Sequence, residues 1–418
     1  MATPNAEDSD TTTCLIAGGG PAGMMLALLL ARAGVHVTVM EKHADFLRDF
    51  RGDTVHASTL RLLDELGLAE AFTALPHRMI EQVTFRVRET PVEVALSTLP
   101  GRHKHIALVP QWDFLELLAQ AAAAEPTFRL MRSSEVLGPI YEHGPGSAVV
   151  GVRYRRTDIP DAPEQTMRAA LTVGCDGRSS TLRKAAGLKT REFGAPMDVW
   201  WFRLPRHDGD PRGLNGSFDA GRGLALIDRG DYFQIAFIIR KGSDAEMRAA
   251  GIERLREQVT HLAPQLADRI SALESFDDVK LLDVQLNRLR RWYAPGLLLI
   301  GDAAHAMSPV GGVGINLAVA DAVAAGRILA QPLREHTLTT RQLARVQARR
   351  WVPTVLVQGV QRLVQTRLVG PAISDTTARS GTPRALRIAI RFPLLRRIAA
   401  YAVAIGPLPE RAPQFARR

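Results

Sequence analysis

The chain is poor in the features that mark export, metal binding or membrane insertion. It has two cysteines in 418 residues, Cys14 and Cys175. Two thiols make no disulfide framework, and both read as small core residues. No Cys/His cluster stands at metal-ligand spacing, so no metal is expected. No apolar run approaches the roughly 18 uninterrupted residues of a spanning helix. The first thirteen residues are polar and acidic, unlike a signal peptide. These absences make a cytoplasmic location the default expectation. No recognised nucleic-acid motif is found, and no nucleic-acid partner is expected. Apolar content of 46% and charged content of 23% are ordinary for a soluble globular chain. The length suggests two or three domains.

The net charge of +10 is unevenly placed. Between Arg341 and the C-terminus stand 15 arginines against two acids, Asp375 and Glu410. The basicity therefore belongs to the tail. Residues 384–404 mix arginines with Leu, Ile, Phe and Tyr, and Pro393 divides them. The tail reads as a peripheral element outside catalysis. A helix pair covering a domain is favoured over weak contact with an anionic membrane surface.

What is present is concentrated in three turns. The first lies in residues 12–42. An apolar strand enters Gly18-Gly19-Gly20-Pro21-Ala22-Gly23, a helical run follows to Gly34, a second strand spans Val35–Met40, and Glu41 and Lys42 close the unit. Gly18 permits the tight turn, Gly20 lets backbone approach a pyrophosphate, and Gly23 lets helix pack on strand. The helix N-terminus offers free N–H groups to phosphates. Glu41 stands where a carboxylate accepts from both ribose hydroxyls of an adenosine. The motif alone does not separate FAD from NAD.

The second turn, Cys175-Asp176-Gly177-Arg178-Ser179, follows an apolar strand at Leu171–Val173. The third follows the short buried strand Leu297–Ile300. It reads Gly301-Asp302-Ala303-Ala304-His305, then Pro309-Val310-Gly311-Gly312-Val313-Gly314-Ile315-Asn316, then a long alanine-rich helix to about Leu329. Between the turns, Val83, Phe85 and Val87 alternate with polar residues and pair with Val92–Leu96 as a hairpin. Segments 129–137, 147–156, 199–204, 232–239 and 284–289 read as strands, and 245–273 as mostly helical. The region after Leu329 reads as helix broken by Pro353, Pro371, Pro383 and Pro393.

The order and spacing of the three turns resemble the class A flavoprotein monooxygenases, the family of para-hydroxybenzoate hydroxylase. The resemblance covers roughly residues 12–330. It implies an α/β fold: a Rossmann-type FAD-binding domain (1–80, 103–190 and 285–340), an inserted, mostly antiparallel substrate-binding sheet domain (81–102 and 191–284), and a basic helical C-terminal region (341–418). It places Gly18–Gly23 with Glu41 and Lys42 at the ADP half of FAD. Asp176 falls on the family's Asp-Gly motif, and Gly301 and Asp302 at the ribityl chain. Pro309, Gly312, Gly314, Ile315 and Asn316 fall at the flavin ring. Arg51 stands at the spacing of a flavin-contacting arginine, and Gln111 matches a glutamine that often contacts FAD. A second G-x-G-x-x-G is missing, as expected for a family whose NADPH or NADH visits without its own Rossmann domain.

The implied chemistry is hydride transfer from NAD(P)H to FAD, addition of O2 to give a C4a-hydroperoxide, and transfer of one oxygen to a small, electron-rich substrate, often aromatic. The hard chemistry is the cofactor's, so no protein nucleophile is named. Trp201, Arg203 and Phe233 are candidate substrate contacts. His56 and His305 read as structural. The alternatives are an FAD oxidoreductase that reduces or desaturates C–C bonds, and a non-enzymatic FAD-holding protein. The oligomeric expectation is a monomer or homodimer.

Overall fold

The computed structural model describes residues 10–47, 54–87, 90–219, 222–366, 397, 400–402 and 404–418. Nine α-helices lie among them: α1 Pro21–Arg32, α2 Ala57–Glu65, α3 Ala69–Thr73, α4 Gln111–Ala123, α5 Thr181–Ala185, α6 Asp244–Ala249, α7 Ile252–Leu262, α8 Gly314–Arg334 and α9 Thr340–Val364. They flank two large sheets.

The first sheet has eight strands. Its parallel part runs Leu297–Leu299, Gln165–Gly174, Thr11–Ala17, Val37–Met40, Phe128–Met131. Parallel strands are covered on both faces, which is why they read as continuous apolar runs. Leu15, Ile16 and Ala17 have no exposed surface. Helix α1 is buried along Ala22–Ala31 and packs on α4 and α8. At Gly326 a Cβ would stand 3.1 Å from Leu29 Cβ, so a glycine lets α8 approach α1. Val310–Arg334, which contains α8, is the one stretch among the described residues long and apolar enough to cross a membrane. Its most apolar window is 78% buried in this core.

The second sheet has seven strands in the order Lys280–Leu282, Met197–Pro205, Tyr232–Arg240, Arg222–Asp228, Leu214–Asp219, Gln82–Val87, Thr90–Ala95. All neighbours are antiparallel except Leu214–Asp219 with Gln82–Val87, which are parallel. Strand alternation sends Trp200, Phe202, Leu204, Phe233, Ile235 and Phe237 to one face. Helix α7 covers that face with Leu255, Val259 and Leu262. Burying each large side chain contributes about 1.5–3 kcal/mol.

Three local expectations differ from the structure. The strand expected over 129–137 is two strands, Phe128–Met131 and Ser134–Tyr141, split where Ser133 takes φ 52. The first edges the parallel sheet, and the second begins an antiparallel pair with Val149–Arg156. The strand expected from Val284 starts only at Asn287. The Val284 N–H donates to Asp198 instead, 2.9 Å. Pro353 does not break α9, although a helix-interior proline costs about 3 kcal/mol. Arg350 and Gln358, on either side of it, are anchored by buried hydrogen bonds to Asp321 and to Asn287 O and Ala306 O. Of the other expected breaks, Pro371, Pro383 and Pro393 lie outside the described residues.

Candidate active site

The three turns converge. Gly18 has φ +103, and a Cβ there would stand 2.4 Å from the Cys175 carbonyl oxygen. The first turn is thus pressed on the second, and the Cys175 N–H donates to Ala17 O at 2.7 Å. A Cβ at Gly23 would lie 2.0 Å from Gly18 O, which is the close helix–strand approach expected of that glycine. At Gly301 a Cβ would be 3.2 Å from Ala22 Cβ, so the third turn rests on the first turn of α1.

Gly20 is different: a Cβ there meets nothing within 4 Å. It caps α1, Pro21 opens the helix, and no side chain hydrogen-bonds to the cap. The first N–H groups of a helix lack intrahelical partners, so this end is an open anion cradle. Glu41 is buried beside it. One carboxylate oxygen accepts from Gly19 N at 2.9 Å and the other from His43 N at 3.1 Å. A carboxylate offers about four acceptor sites. The Lys42 side chain is exposed and its carbonyl accepts from Thr157 Oγ1. Gln111 is half-buried as the first residue of α4. Arg51 lies outside the described residues.

Asp176 accepts the Leu182 N–H through Oδ2, and its Oδ1 is buried without a partner. Arg183 fastens the second turn to the third, donating to Ala303 O at 2.9 Å, Asp302 O at 3.5 Å and Arg178 O. Burial lowers its guanidinium pKa, against the charges of Asp176, Glu192 and Asp302. It is an internal fastener rather than a surface cation. Arg178 Nε donates to Asp302 Oδ2 at 3.2 Å, with both side chains partly exposed. Burial raises the pKa of the Cys14 and Cys175 thiols, which suits inert core residues.

Past Asp302 the chain reaches Pro309 and the glycine turn. Gly312 has φ +62, and Thr54 Oγ1 donates to its carbonyl at 2.7 Å. Gly314 opens α8 with no side-chain cap and nothing within 4 Å of an added Cβ. Ile315 is buried. The Asn316 side chain is engaged within the protein. Its Oδ1 accepts from His56 N and Thr59 Oγ1, and its Nδ2 donates to Thr54 O and Gly312 O. All four positions are used, so its side chain ties residues 54–59 to the turn.

Sequence reasoning missed Asp321. It is fully buried on α8 and accepts from Gly301 N at 3.1 Å, His305 Nε2 at 2.6 Å and Arg350 Nε at 2.9 Å. Burial opposes ionisation of its carboxyl. The charges and hydrogen bonds of His305 and Arg350 outweigh this and hold its pKa below the usual carboxylate range. The signal was an acid inside an otherwise apolar helical run, which needs a partner when buried. His305 lies between Asp321 and the Trp292 ring, 4.8 Å away between centroids, in keeping with a structural role.

The second face of the seven-stranded sheet is held at both ends. Met197 and Ile238 pack with Val310 and Val364. Val83, Leu214 and Ile227 pack with Ala57, Leu96 and Ile405. Between them lie Val199, Trp201, Ala225 and Ala236, with Val284 alongside. Trp201 Nε1 is buried without a partner. Arg203 is exposed on the same face, its guanidinium 4.8 Å from the Tyr232 ring centroid. Phe233 is a correction. It pairs in register with Leu204, has no exposed surface, and belongs to the core on the opposite face. It forms no wall with Trp201 and Arg203.

An open glycine at a helix N-terminus, an acid at a strand end, an orphaned buried carboxylate oxygen and a second uncapped helix end together fit FAD. Comparison with known proteins agrees. Residues 10–360 match a family described as FAD binding domain. The 6-methylpretetramide 4-monooxygenase of Streptomyces rimosus is 34% identical over 407 residues, 95% of this chain and 94% of the relative. Among solved structures, the anhydrotetracycline hydroxylase OxyS of Streptomyces rimosus superposes with TM-score 0.74 at 24% identity, over 96% of this chain and 77% of that one. PqsL of Pseudomonas aeruginosa gives TM-score 0.74 at 21% identity, over 88% and 99%.

Proposed function

Because the chain belongs to the FAD-binding-domain family of class A flavoprotein monooxygenases, and is an FAD-dependent monooxygenase drawing electrons from NADPH or NADH, we propose a residue-level division of labour and a substrate class. Bound FAD supplies hydride acceptance and oxygen activation. The chain's part is to hold, orient and keep dry. Gly18, Gly20, Pro21, Ala22 and Gly23 present backbone to the pyrophosphate. Glu41 takes the ribose hydroxyls, with Lys42, Arg51 and Gln111 nearby. Asp176 and Gly301 shape the middle of the site, and Asp302 accepts from the ribityl hydroxyls. Pro309, Gly312, Gly314, Ile315 and Asn316 line the ring with backbone. The N-terminus of α8 favours negative charge at the pyrimidine edge.

The proposed domain division follows the expected one: 1–80, 103–190 and 285–340 for the cofactor, 81–102 and 191–284 for the substrate, and 341–418 as the basic region. The substrate then lies between the turn at Pro309–Gly314 and the sheet face carrying Trp201, Ala225 and Ala236. Small residues there leave room for a flat molecule, and the Trp201 indole N–H is a donor in want of an acceptor. The observation that carries the substrate class is the likeness, over nearly the whole chain, to an enzyme named for 6-methylpretetramide. We therefore infer a polycyclic aromatic polyketide as substrate. The test is NAD(P)H consumption with and without tetracyclic polyketides, with 18O2 incorporation followed by mass spectrometry. Stimulated consumption with labelled product supports the class. Stimulation by monocyclic phenols alone overturns it.

Cytoplasmic location and a monomeric or homodimeric state are part of the same proposal. The described end of the basic tail covers the nucleotide-binding part, which favours the covering role. The membrane alternative rests on 384–404, of which only 397, 400–402 and 404 are among the described residues. Absence of salt-sensitive flotation with anionic liposomes removes it.

A further inference from the structure

The C-terminal residues form a strap across the C-terminal ends of α1, α2 and α4. Ala412 and Ala416 are buried in the main core. Glu65 accepts from Arg411 NH1 at 2.8 Å and Ala412 N at 2.7 Å. Arg32 NH1 donates to Ala416 O, and Arg418 NH2 pairs with Glu125 at 3.2 Å. The sequence pattern places this tail outside catalysis, yet one of its side chains reaches inward.

That side chain is Glu410, which is buried. It accepts from Arg349 Nε at 2.7 Å and NH2 at 2.9 Å, and lies 3.7 Å from Arg350 NH1. Arg350, 2% exposed, donates through Nε to Asp321 Oδ1. Asp321 accepts the Gly301 N–H and the His305 ring N–H through its other oxygen. An unbroken buried chain of charges thus runs from the strap to the peptide preceding Asp302. Apolar contacts of Ile405 with Ala57 and Leu96 hold the start of the strap nearby, and a cavity of about 40 Å³ lies between Ile405–Glu410 and the Thr59, Asn316 and Leu317 side.

We propose that Glu410, acting through Arg350 and Asp321, is a positioning residue for the FAD site, fixing the Gly301 N–H and so the orientation of Asp302. Without Glu410 the buried Arg350 keeps only Asp321 as a carboxylate partner, and re-aiming its guanidinium shifts Asp321 with it, because breaking one side of a buried charge network is costly. The inference rests on the reading that the Gly301–Asp302 turn holds FAD.

The test compares Glu410→Gln with Glu410→Asp and with Glu257→Gln, a control at the exposed Arg254–Glu257 pair. FAD dissociation constants are measured by flavin fluorescence. Amide hydrogen exchange of residues 301–305 is measured on the apoprotein. Expected for Glu410→Gln is FAD affinity about tenfold weaker, in the usual range for coupling between sites, with faster exchange at 301–305. Glu410→Asp recovers part of both, and the control changes neither. If Glu410→Gln keeps wild-type FAD affinity and exchange, the proposal is wrong. Asp302→Ala separates the two failures: if it too leaves FAD affinity unchanged, the turn does not hold FAD at all. Should Glu410→Gln fold poorly, Arg350→Lys is read by the same experiment: faster exchange at 301–305 supports the proposal and wild-type exchange overturns it, since a lysine holds its donors on one nitrogen and does not span Glu410 and Asp321 as the guanidinium does.

Discussion

Around the first turn, backbone meets backbone: Gly18 against the Cys175 carbonyl and Gly23 against Gly18, with Gly301 close against the small Ala22 side chain. Across the second sheet the contacts are side chain on side chain, with Trp200, Phe202 and Phe233 under one face and Trp201, Ala225 and Ala236 on the other. A site made of backbone has almost no tolerance, because its complementarity is the absence of a Cβ. A site made of alternating side chains can be re-tailored residue by residue while the sheet stays intact. This contrast gives a physical reason why one cofactor site can serve relatives that differ in substrate.

The comparison can be broken from either side. The largest effect is expected at Gly18→Val, where a left-handed φ and a 2.4 Å contact combine. The loss should be about 3–4 kcal/mol or more, seen as little soluble folded protein by circular dichroism. Phe233→Ala should cost about 3–5 kcal/mol as a core cavity. Thermal unfolding should drop while FAD affinity of the remaining folded enzyme holds. A change confined to substrate KM would instead return Phe233 to the pocket. Gly20→Val should fold normally, since open space surrounds it. It should bind FAD about a hundredfold more weakly, about 2.7 kcal/mol. Full FAD occupancy by absorbance in that variant would remove the first turn from the cofactor site.

Gly314→Asp sharpens the contrast from the flavin side. A helix N-terminus favours an anion by about 0.3–1 kcal/mol when exposed and up to about 2 when partly buried. A carboxylate there should lower the flavin midpoint potential and slow reduction by NAD(P)H, once FAD occupancy is confirmed. An unchanged potential would mean that α8 does not face the ring. The smallest effect is acid loosening of the strap. Burial opposes ionisation of Glu65, but Arg411, the Ala412 N–H and Arg417 outweigh it and depress its pKa. Its contribution is therefore complete above the ordinary glutamate value of about 4.3 and is lost as pH falls through the lower folded value. Amide protection of residues 410–418 should fade in that window, and Glu65→Gln should lack the pH-dependent part.

The legible elements were those whose cause is local. Gly18, Gly20 and Gly23 could be ranked by role because tight turn, open cradle and helix packing each demand a glycine at a set offset. The period-2 pattern at Trp200–Arg203 was enough to separate two faces. It did not say which face was core, and Phe233, on a different strand, was assigned to the wrong one because register with Leu204 is a long-range fact. The break expected at Pro353 failed for the same reason. Propensity acts locally, whereas Arg350 is held by an acid 29 positions away.

Chain order alone was therefore sufficient for the nucleotide-type turns, the acid that closes the first of them, and the family they imply, since each is a short-range arrangement of strand, glycine and helix. Tertiary structure decided the rest. It made Asn316 a brace between residues 54–59 and the glycine turn, made Arg183 a fastener between two turns, and brought Glu410 to within 3.7 Å of Arg350. Side chains with several donors or acceptors are satisfied by whatever packing brings near, and when they are buried that partner sets their role.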